Sequence, residues 1–80
     1  MNVMKVNILP FGRITEIIGT NPVVDEAVVD TDSLITLLRQ LYPALTESKF
    51  LIAVDRKVIN ENTSLHDNCT VALLPPFSGG

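Results

Sequence analysis

The sequence predicts an α+β domain in which a mixed β-sheet packs against one main helix. Segments rich in valine and isoleucine, which favour strands, lie on both sides of a single long amphipathic segment. The chain has 80 residues, which indicates one domain of two layers. Hydrophobic residues make up 46% of it and charged residues 19%, so we expect a core that forms without disulfides or a metal.

Two strands and a short helix are predicted before the main helix. Met4 to Pro10 is rich in β-forming residues and indicates the first strand. Apolar residues at helical spacing predict a short helix from Phe11 to Ile18, which Gly19 can end. The valines between Pro22 and Val29 indicate a second strand, although the acidic pair Asp25-Glu26 interrupts it.

The main helix is the clearest element of the sequence. Thr31 is a good N-cap because its hydroxyl can accept a hydrogen bond from a free backbone N–H of the first turn. Asp32 suits the positive end of the helix dipole. Pro43 restricts the preceding residue and ends the helix. A sheet is needed to cover the apolar stripe of this helix, which consists of Leu34, Ile35, Leu37, Leu38, Leu41 and Tyr42.

Three short strands are predicted after the main helix. Pro75 and Pro76 end the last of them because neither can donate to the ladder. The order of strand, helix, strand, helix and three strands makes a ubiquitin-like β-grasp the natural candidate. The predicted segments are a strand from Phe50 to Val54, a turn at 55–57, a strand at Val58-Ile59, a polar loop at 60–68 anchored by Leu65, a turn at Asp67-Asn68 and a strand from Thr70 to Leu74.

Composition and charge argue against several classes of function. The single cysteine, Cys69, cannot form an internal disulfide, and the single histidine, His66, argues against a metal cluster. The net charge is −3 and the six Lys and Arg residues are scattered, so no nucleic acid partner is expected. The sequence shows neither a signal peptide nor an apolar run of membrane-spanning length, so we expect a cytoplasmic protein without membrane contact.

The side chains match no familiar catalytic constellation, such as a phosphate loop, a nucleophile elbow or a zinc-binding helix. Ser64, His66 and Asp67 are close in sequence. Catalytic triads, however, are brought together by the fold and not by proximity along a loop, so we favour the interpretation that these are turn residues in a solvated loop. Cys69 has no basic neighbour in sequence that would lower its pKa. This favours a small residue that opens the last strand over a nucleophile.

The segment from Leu73 to Gly80 differs in kind from the rest of the chain. Gly79 and Gly80 carry no side chains, so the acyl end can enter a narrow channel. Six residues from Pro75 onward span roughly 20 Å when extended, and the two prolines start them in an extended conformation. The terminal carboxylate is ionised at neutral pH and needs activation, most simply as an acyl-adenylate. The alternative is that Gly79-Gly80 is only a frayed terminus or an arbitrary chain boundary without a function.

The chain resembles the small, sulfur-carrying subunit of molybdopterin synthase over nearly all of its length. The most specific segment is Val71 to Gly80, which is similar to that family's apolar strand followed by Pro-Pro, two variable residues and Gly-Gly. Phe11 to Thr20 is similar to the family's first helix with its Gly-Thr ending, and Leu51 to Asp55 to its third strand. The Pro-Pro pair distinguishes this family from the thiazole-forming carriers.

The resemblance implies a ubiquitin-like β-grasp at residues 1–74 and an extended, flexible tail at 75–80. It also implies a cycle in which a ubiquitin-activating-like enzyme adenylates the Gly80 carboxylate with ATP and a sulfur donor converts it to a thiocarboxylate. The tail then enters the large synthase subunit, where the sulfur passes to the cyclic pyranopterin precursor. Two such transfers build the molybdopterin dithiolene of the molybdenum cofactor.

The same resemblance assigns roles to the residues of the tail. Gly80 reacts, Gly79 gives it steric access, and the catalytic acids and bases belong to the partner. The chain alone is then not catalytic and binds no cofactor or metal. The implied assembly is a heterotetramer of two small and two large subunits.

A docking face for the large subunit is also implied. It consists of Phe11, Val58 and Leu74, continued by Pro75, Pro76, Phe77 and Ser78. Strand alternation agrees for Leu74, because it points outward if Val71 and Leu73 face the helix. On pattern alone, Phe11 and Val58 suit the core equally well.

Two features depart from the family pattern. The usual Asp-Gly-Asp turn before the last strand is here Asp67-Asn68-Cys69, and Asn tolerates the left-handed conformation that Gly would supply. Phe77 is bulkier than the usual small aliphatic residue, which indicates a matched partner tunnel.

Other functions stay open at this point. The thiocarboxylate could serve tRNA thiolation or thiazole synthesis, although the Pro-Pro pair argues against both. The chain could also be a protein modifier that Gly80 joins to lysines of other proteins, or a docking module that does not use Gly80. The synthase subunit is favoured over these.

Overall fold

The computed structural model describes residues 4–20 and 22–76. Within these ranges no helix is long and apolar enough to span a membrane. The elements in chain order are strand β1 (Met4–Pro10), helix α1 (Arg13–Ile18), strand β2 (Val23–Glu26), helix α2 (Thr31–Leu41), a 3₁₀ helix (Pro43–Glu47), and strands β3 (Leu51–Val54), β4 (Lys57–Ile59) and β5 (Cys69–Leu74).

The five strands form one mixed sheet in the order β2-β1-β5-β3-β4. β1 and β5 run parallel at its centre, whereas β1 with β2, β5 with β3 and β3 with β4 are antiparallel. The first and last strands are therefore neighbours, and the chain crosses the sheet through α2. This confirms the predicted α+β architecture with one main helix.

The core lies between one face of the sheet and the helices. Val71 and Leu73 of β5 are fully buried, and so are Leu34 and Leu38 of α2, which belong to the same cluster of side chains. Burial of one such side chain contributes about 1.5–3 kcal/mol. Val71 and Leu73 thus face the helices, which is the condition under which alternation turns Leu74 outward. Thr70, Ala72 and Leu74 alternate with the buried residues of β5 and face away from the core.

Helix α2 is capped by Asp30, not by Thr31 as predicted. The Oδ1 atom of Asp30 accepts hydrogen bonds from Ser33 N at 2.9 Å and from Ser33 Oγ at 2.6 Å. These bonds, and one from Asn62, lower the pKa of the Asp30 carboxyl. Thr31 is instead the first helical residue and is buried, and its hydroxyl accepts from the backbone N–H of Thr63. Both residue types cap helices well, and contacts with the distant 60–68 loop decide between them.

Each of the last three strands begins one residue away from its predicted start. β3 begins at Leu51 and not at Phe50, β4 at Lys57 and not at Val58, and β5 at Cys69 and not at Thr70. The pairing between strands, which the sequence pattern does not give, sets these bounds.

The structure corrects other details of the predicted helices and of β2. Helix α1 begins at Arg13 and not at Phe11, because Gly12 has a non-helical backbone with φ of 60°. β2 ends at Glu26, so Val28 and Val29 lie beyond it. Leu41 is largely exposed and does not continue the buried stripe of α2. The 3₁₀ helix, which starts at the proline that ends α2, was not predicted.

The turns lie where the sequence predicts them, but the first is shorter than predicted, because Lys57 pairs with Val54 and belongs to β4. Asp55 and Arg56 both have positive φ, 48° and 74°, which is the geometry of a two-residue hairpin between β3 and β4. Asn68 has φ of 67° and so takes the left-handed conformation expected in place of Gly. Leu65 is buried and anchors the polar loop, as predicted. β5 ends at Leu74, where the sequence places the end of the domain; the extended tail at 75–80 stays a prediction.

Candidate functional site

A row of side chains crosses the outer face of the sheet, which is the face away from α2. Leu9 of β1 pairs with Ala72 of β5, and Ala72 also pairs with Ala53 of β3. Ala53 in turn pairs with Val58 of β4. Two alanines in the central strands lie between larger side chains at both ends. The row therefore forms a concave surface with a small-residue floor.

This concavity, which we call the outer groove, has a volume of about 490 Å³. Besides the four residues of the row, its lining includes Phe11, Asp55, Arg56, Thr70 and Leu74. Thr70 and Leu74 lie on opposite sides of Ala72 along β5, and alternation turns both outward. The groove thus has an apolar end, at Leu74 and Phe11, and a polar end, at Thr70 and the Asp55-Arg56 turn.

The three residues predicted to form a docking face all line the outer groove. Phe11 is 42% exposed and Val58 is 58% exposed, so the alternative that they belong to the core is wrong. Leu74 is partly buried and faces outward, as alternation predicts. Large apolar side chains gathered on an exposed face are typical of an interaction surface. Their contact with a partner stays a prediction.

The predicted tail begins at the apolar end of the outer groove. The backbone N–H of Phe11 donates to the carbonyl oxygen of Leu73 at 3.0 Å, so β1 and β5 stay joined up to this point. Pro75 and Pro76 then leave the strand and line a second, smaller groove of about 280 Å³ with residues of α1 and of the segment at 47–49. The predicted site residues Phe77, Ser78, Gly79 and Gly80 lie outside the residues that the structure describes.

The polar end of the outer groove is held together by Asp55. Its backbone N–H donates to Thr70 O at 2.8 Å, and its Oδ1 accepts from Thr70 N at 3.0 Å. Its Oδ2 lies 2.6 Å from Nε2 of His66. The Thr70 N–H, followed by His66, lowers the pKa of the Asp55 carboxyl.

His66 is held between two acceptors. Its Nδ1 lies 3.0 Å from the carbonyl oxygen of Asp67, which can only accept, so Nδ1 carries a proton. The Asp55 carboxylate, followed by the Asp67 carbonyl, raises the pKa of His66. The ring thus points to Asp55, while Ser64 forms a β-bridge with Asp30 on another side of the loop. This arrangement supports the interpretation of 64–67 as structural loop residues.

Cys69 opens β5 on its buried face. The side chain is 1% exposed, and this burial raises the pKa of the thiol, which keeps it protonated and a poor nucleophile. These observations support the interpretation of Cys69 as a small residue that opens the last strand. Over residues 4–20 and 22–76, no group of three or more His, Cys, Asp or Glu side chains is arranged to hold a metal ion.

The sequence did not predict most of the groove lining. Ala53 and Ala72 form the floor, and Leu9 one rim, through pairings between strands that are distant along the chain. Alternation from Leu74 could have placed Ala72 and Thr70 outward. The partners of these residues on β1 and β3 depend on register, which the sequence pattern does not give.

The family of the chain is decided by a direct comparison. A family model described as the ThiS family matches residues 8–80. The chain belongs to the ThiS family. This ThiS-family chain is 29% identical over 80 residues to the molybdopterin synthase sulfur carrier subunit of Dictyostelium discoideum, and the match covers 91% of this chain and 93% of that protein.

Two solved structures extend the comparison. A chain of the protein–protein complex of subunits 1 and 2 of molybdopterin-converting factor from Helicobacter pylori is 32% identical, with a TM-score of 0.74 over 96% of this chain and 100% of that one. Small archaeal modifier protein 1 from Methanosarcina acetivorans is 22% identical, with a TM-score of 0.79 over the whole of both chains, which shows a shared fold. These likenesses confirm the ubiquitin-like β-grasp and the predicted resemblance to the small subunit of molybdopterin synthase.

Proposed function

We propose that this ThiS-family chain is the sulfur carrier subunit of a molybdopterin synthase. The observation that carries the proposal is the place where the tail starts. An exposed apolar groove ends at Leu74, and the segment that continues to Gly79-Gly80 leaves the sheet at that same end. The proposed docking face therefore lies next to Pro75, where the proposed reactive tail begins, in a chain similar to a molybdopterin synthase sulfur carrier subunit.

Activation takes place at the carboxylate of Gly80. A ubiquitin-activating-like enzyme brings ATP, and the carboxylate attacks the α-phosphorus to give an acyl-adenylate and pyrophosphate. A sulfur donor then supplies a hydrosulfide equivalent, which displaces AMP and leaves a thiocarboxylate. Neither step requires an acid or base from this chain, in keeping with the buried, protonated thiol of Cys69.

Docking on the large synthase subunit uses the outer groove. Phe11, Val58 and Leu74 supply the apolar contact area, which is the usual composition of an interface centre. Pro75 and Pro76 keep the start of the tail extended, which reduces the entropy lost when the tail is inserted. Phe77 and Ser78 then contact the walls of the partner's channel. The solved complex of subunits 1 and 2 of molybdopterin-converting factor supports a partner of this kind.

Sulfur transfer completes the cycle in the active site of the large subunit. The thiocarboxylate sulfur bonds to a carbon of the cyclic pyranopterin precursor and displaces the oxygen substituent of that carbon. Water then cleaves the acyl–sulfur bond, which leaves the sulfur on the precursor and returns Gly80 to a carboxylate. Two such transfers form the molybdopterin dithiolene. We place the reaction in the cytoplasm, in a heterotetramer of two carrier and two large subunits.

The alternative carriers and the protein modifier differ from this function in the acceptor, whereas a docking module does not use Gly80 at all. A carrier for tRNA or thiazole shares the activation of Gly80, and a protein modifier would transfer the acyl group to a lysine. The test that separates them is sulfur transfer to the pyranopterin precursor in the presence of the large subunit. Formation of thiolated tRNA or of thiazole would favour the alternative carriers, and conjugation to lysines would favour the protein modifier.

Two changes at the chain end test the role of Gly80. Deletion of Gly80, or addition of one residue after it, moves the carboxyl from its reaction position, and a misplacement of about 1 Å can cost about 100-fold in rate. We expect both variants to lose sulfur transfer in the reconstituted synthase and to keep the circular dichroism spectrum of the wild type. Unchanged transfer by either variant would exclude Gly80 as the sulfur-bearing residue.

A further inference from the structure

Helix α1 is bracketed by two glycines with similar backbones. Gly12, before the helix, has φ of 60° and ψ of −135°, and Gly19, after it, has φ of 81° and ψ of −171°. Residues that carry a side chain rarely adopt either backbone conformation. Backbone geometry therefore explains a glycine at both positions equally well and does not distinguish them.

Pro75 distinguishes the two glycines. A Cβ atom at position 12 would lie 3.3 Å from Cγ of Pro75, with Cδ and Cβ of the same ring at 3.8 and 3.9 Å. A Cβ atom at position 19 would have nothing within 4 Å. The Pro75 ring thus lies beside Gly12, closer than a side chain at that position would comfortably allow.

This contact lies where the tail leaves the sheet. Phe11 and β5 are held together by the hydrogen bond from Phe11 N to Leu73 O at 3.0 Å. Gly12 is held on its other side by α1, because its carbonyl accepts from Thr15 N at 3.1 Å. Pro75 has a fixed φ, so a tilt of its ring passes directly to the residues that follow.

We propose that Gly12 is a positioning residue for sulfur transfer, because it lets Pro75 seat against the domain and thereby sets the direction in which the tail leaves. The inference rests on the proposed function, in which the reacting group is at Gly80. The five residues beyond Pro75 span about 17 Å when extended in the partner. A change of a few tenths of an ångström at the start of such a segment becomes a larger displacement at its end.

The test compares Gly12→Ala with Gly19→Ala. Both variants place a side chain in an unfavourable backbone, but only the first pushes on Pro75. Each is converted to its thiocarboxylate, and two quantities are measured with the large subunit: the dissociation constant and the single-turnover rate of sulfur transfer. Because a misplacement of about 1 Å costs about 100-fold, we expect Gly12→Ala to slow transfer about tenfold with an unchanged dissociation constant, and Gly19→Ala to slow it less than about twofold.

A second pair of variants keeps the test decisive if Gly12→Ala folds poorly. Pro75→Ala removes the ring that lies beside Gly12, whereas Pro76→Ala removes the neighbouring ring. We expect Pro75→Ala to slow transfer more than Pro76→Ala, and the double variant Gly12→Ala/Pro75→Ala to be no slower than the slower single variant.

The outcomes separate this inference from the proposed function. Equal transfer rates for Gly12→Ala and Gly19→Ala, additive effects in the double variant, or a loss confined to the dissociation constant would each overturn the positioning role. Failure of the wild-type chain to form a thiocarboxylate or to transfer sulfur would overturn the proposed function instead.

Discussion

Nε2 of His66 lies 2.6 Å from Oδ2 of Asp55, and this contact joins the β3–β4 turn to the loop that precedes β5. Both side chains are substantially exposed, at 66% and 47%, so salt will screen their attraction. Asp55 nevertheless also binds the backbone of Thr70 and lines the outer groove. The pair therefore makes the polar end of the groove sensitive to pH.

The first prediction concerns stability against pH. The pKa of His66 is raised from 6.5, so its contribution is complete below that value and is lost as the pH rises through the folded-state pKa. The pKa of Asp55 is lowered from 3.8, so its contribution is present above that value and is lost as the pH falls through the folded-state pKa. The pair thus contributes most between 3.8 and 6.5.

Urea denaturation of the wild type and of His66→Gln checks this prediction. We expect the free energy of unfolding of the wild type to exceed that of the variant. The difference should be largest at about pH 5.5 in low salt and clearly smaller at about pH 8. Because both proteins contain every other carboxylate, the contributions of these groups cancel when the two free energies of unfolding are subtracted. A difference that stays constant across this range would show that the pair does not titrate as described.

The second prediction uses two neighbouring leucines on opposite faces of β5. Leu73→Ala should lower the free energy of unfolding by about 2–5 kcal/mol, because it leaves a cavity in the core. Leu74→Ala, on the outer face, should cost clearly less. Urea denaturation measures both. Equal losses would mean that the assignment of the two faces is wrong.

The third prediction tests docking through the outer groove with two valines of similar exposure. Val58→Glu places a charge in the groove, whereas Val29→Glu places one at a site that is 60% exposed and outside the groove lining. A buried, unpaired charge is costly, so we expect Val58→Glu to weaken binding of the large subunit at least about tenfold. Val29→Glu should bind like the wild type.

Isothermal titration calorimetry measures these affinities, with circular dichroism to confirm that both variants fold. A Val58→Glu variant that binds as tightly as Val29→Glu would remove the outer groove from the interface. The docking surface would then have to lie elsewhere on the domain.

Features that depend on neighbours along the chain could be predicted from the sequence. Once Val71 and Leu73 face the helix, alternation places Leu74 outside, and the left-handed Asn68 followed from its residue type. The start of α2 could not be fixed in this way. Asp30 and Thr31 both suit an N-cap, and Asn62, from the loop before β5, contacts both of them.

Features that depend on strand register or on the close approach of distant residues could not be predicted from the sequence pattern. The floor of the outer groove requires Ala53 and Ala72 to be paired across β3 and β5, which no local signal specifies. The same holds for Gly12, which the sequence pattern placed inside the first helix and whose contact with Pro75 depends on how β1 and β5 end together. Gly79-Gly80, in contrast, was prominent because its meaning is chemical and does not depend on packing.

If Gly80 carries sulfur, the intact mass of the protein reveals it. The wild-type chain is incubated with ATP, an adenylating enzyme of the matching type and a sulfide source, with a known carrier as a positive control. We expect a mass gain equal to the replacement of one oxygen by sulfur, located at Gly80 by fragmentation. An unchanged mass, in a reaction that charges the control carrier, would contradict it.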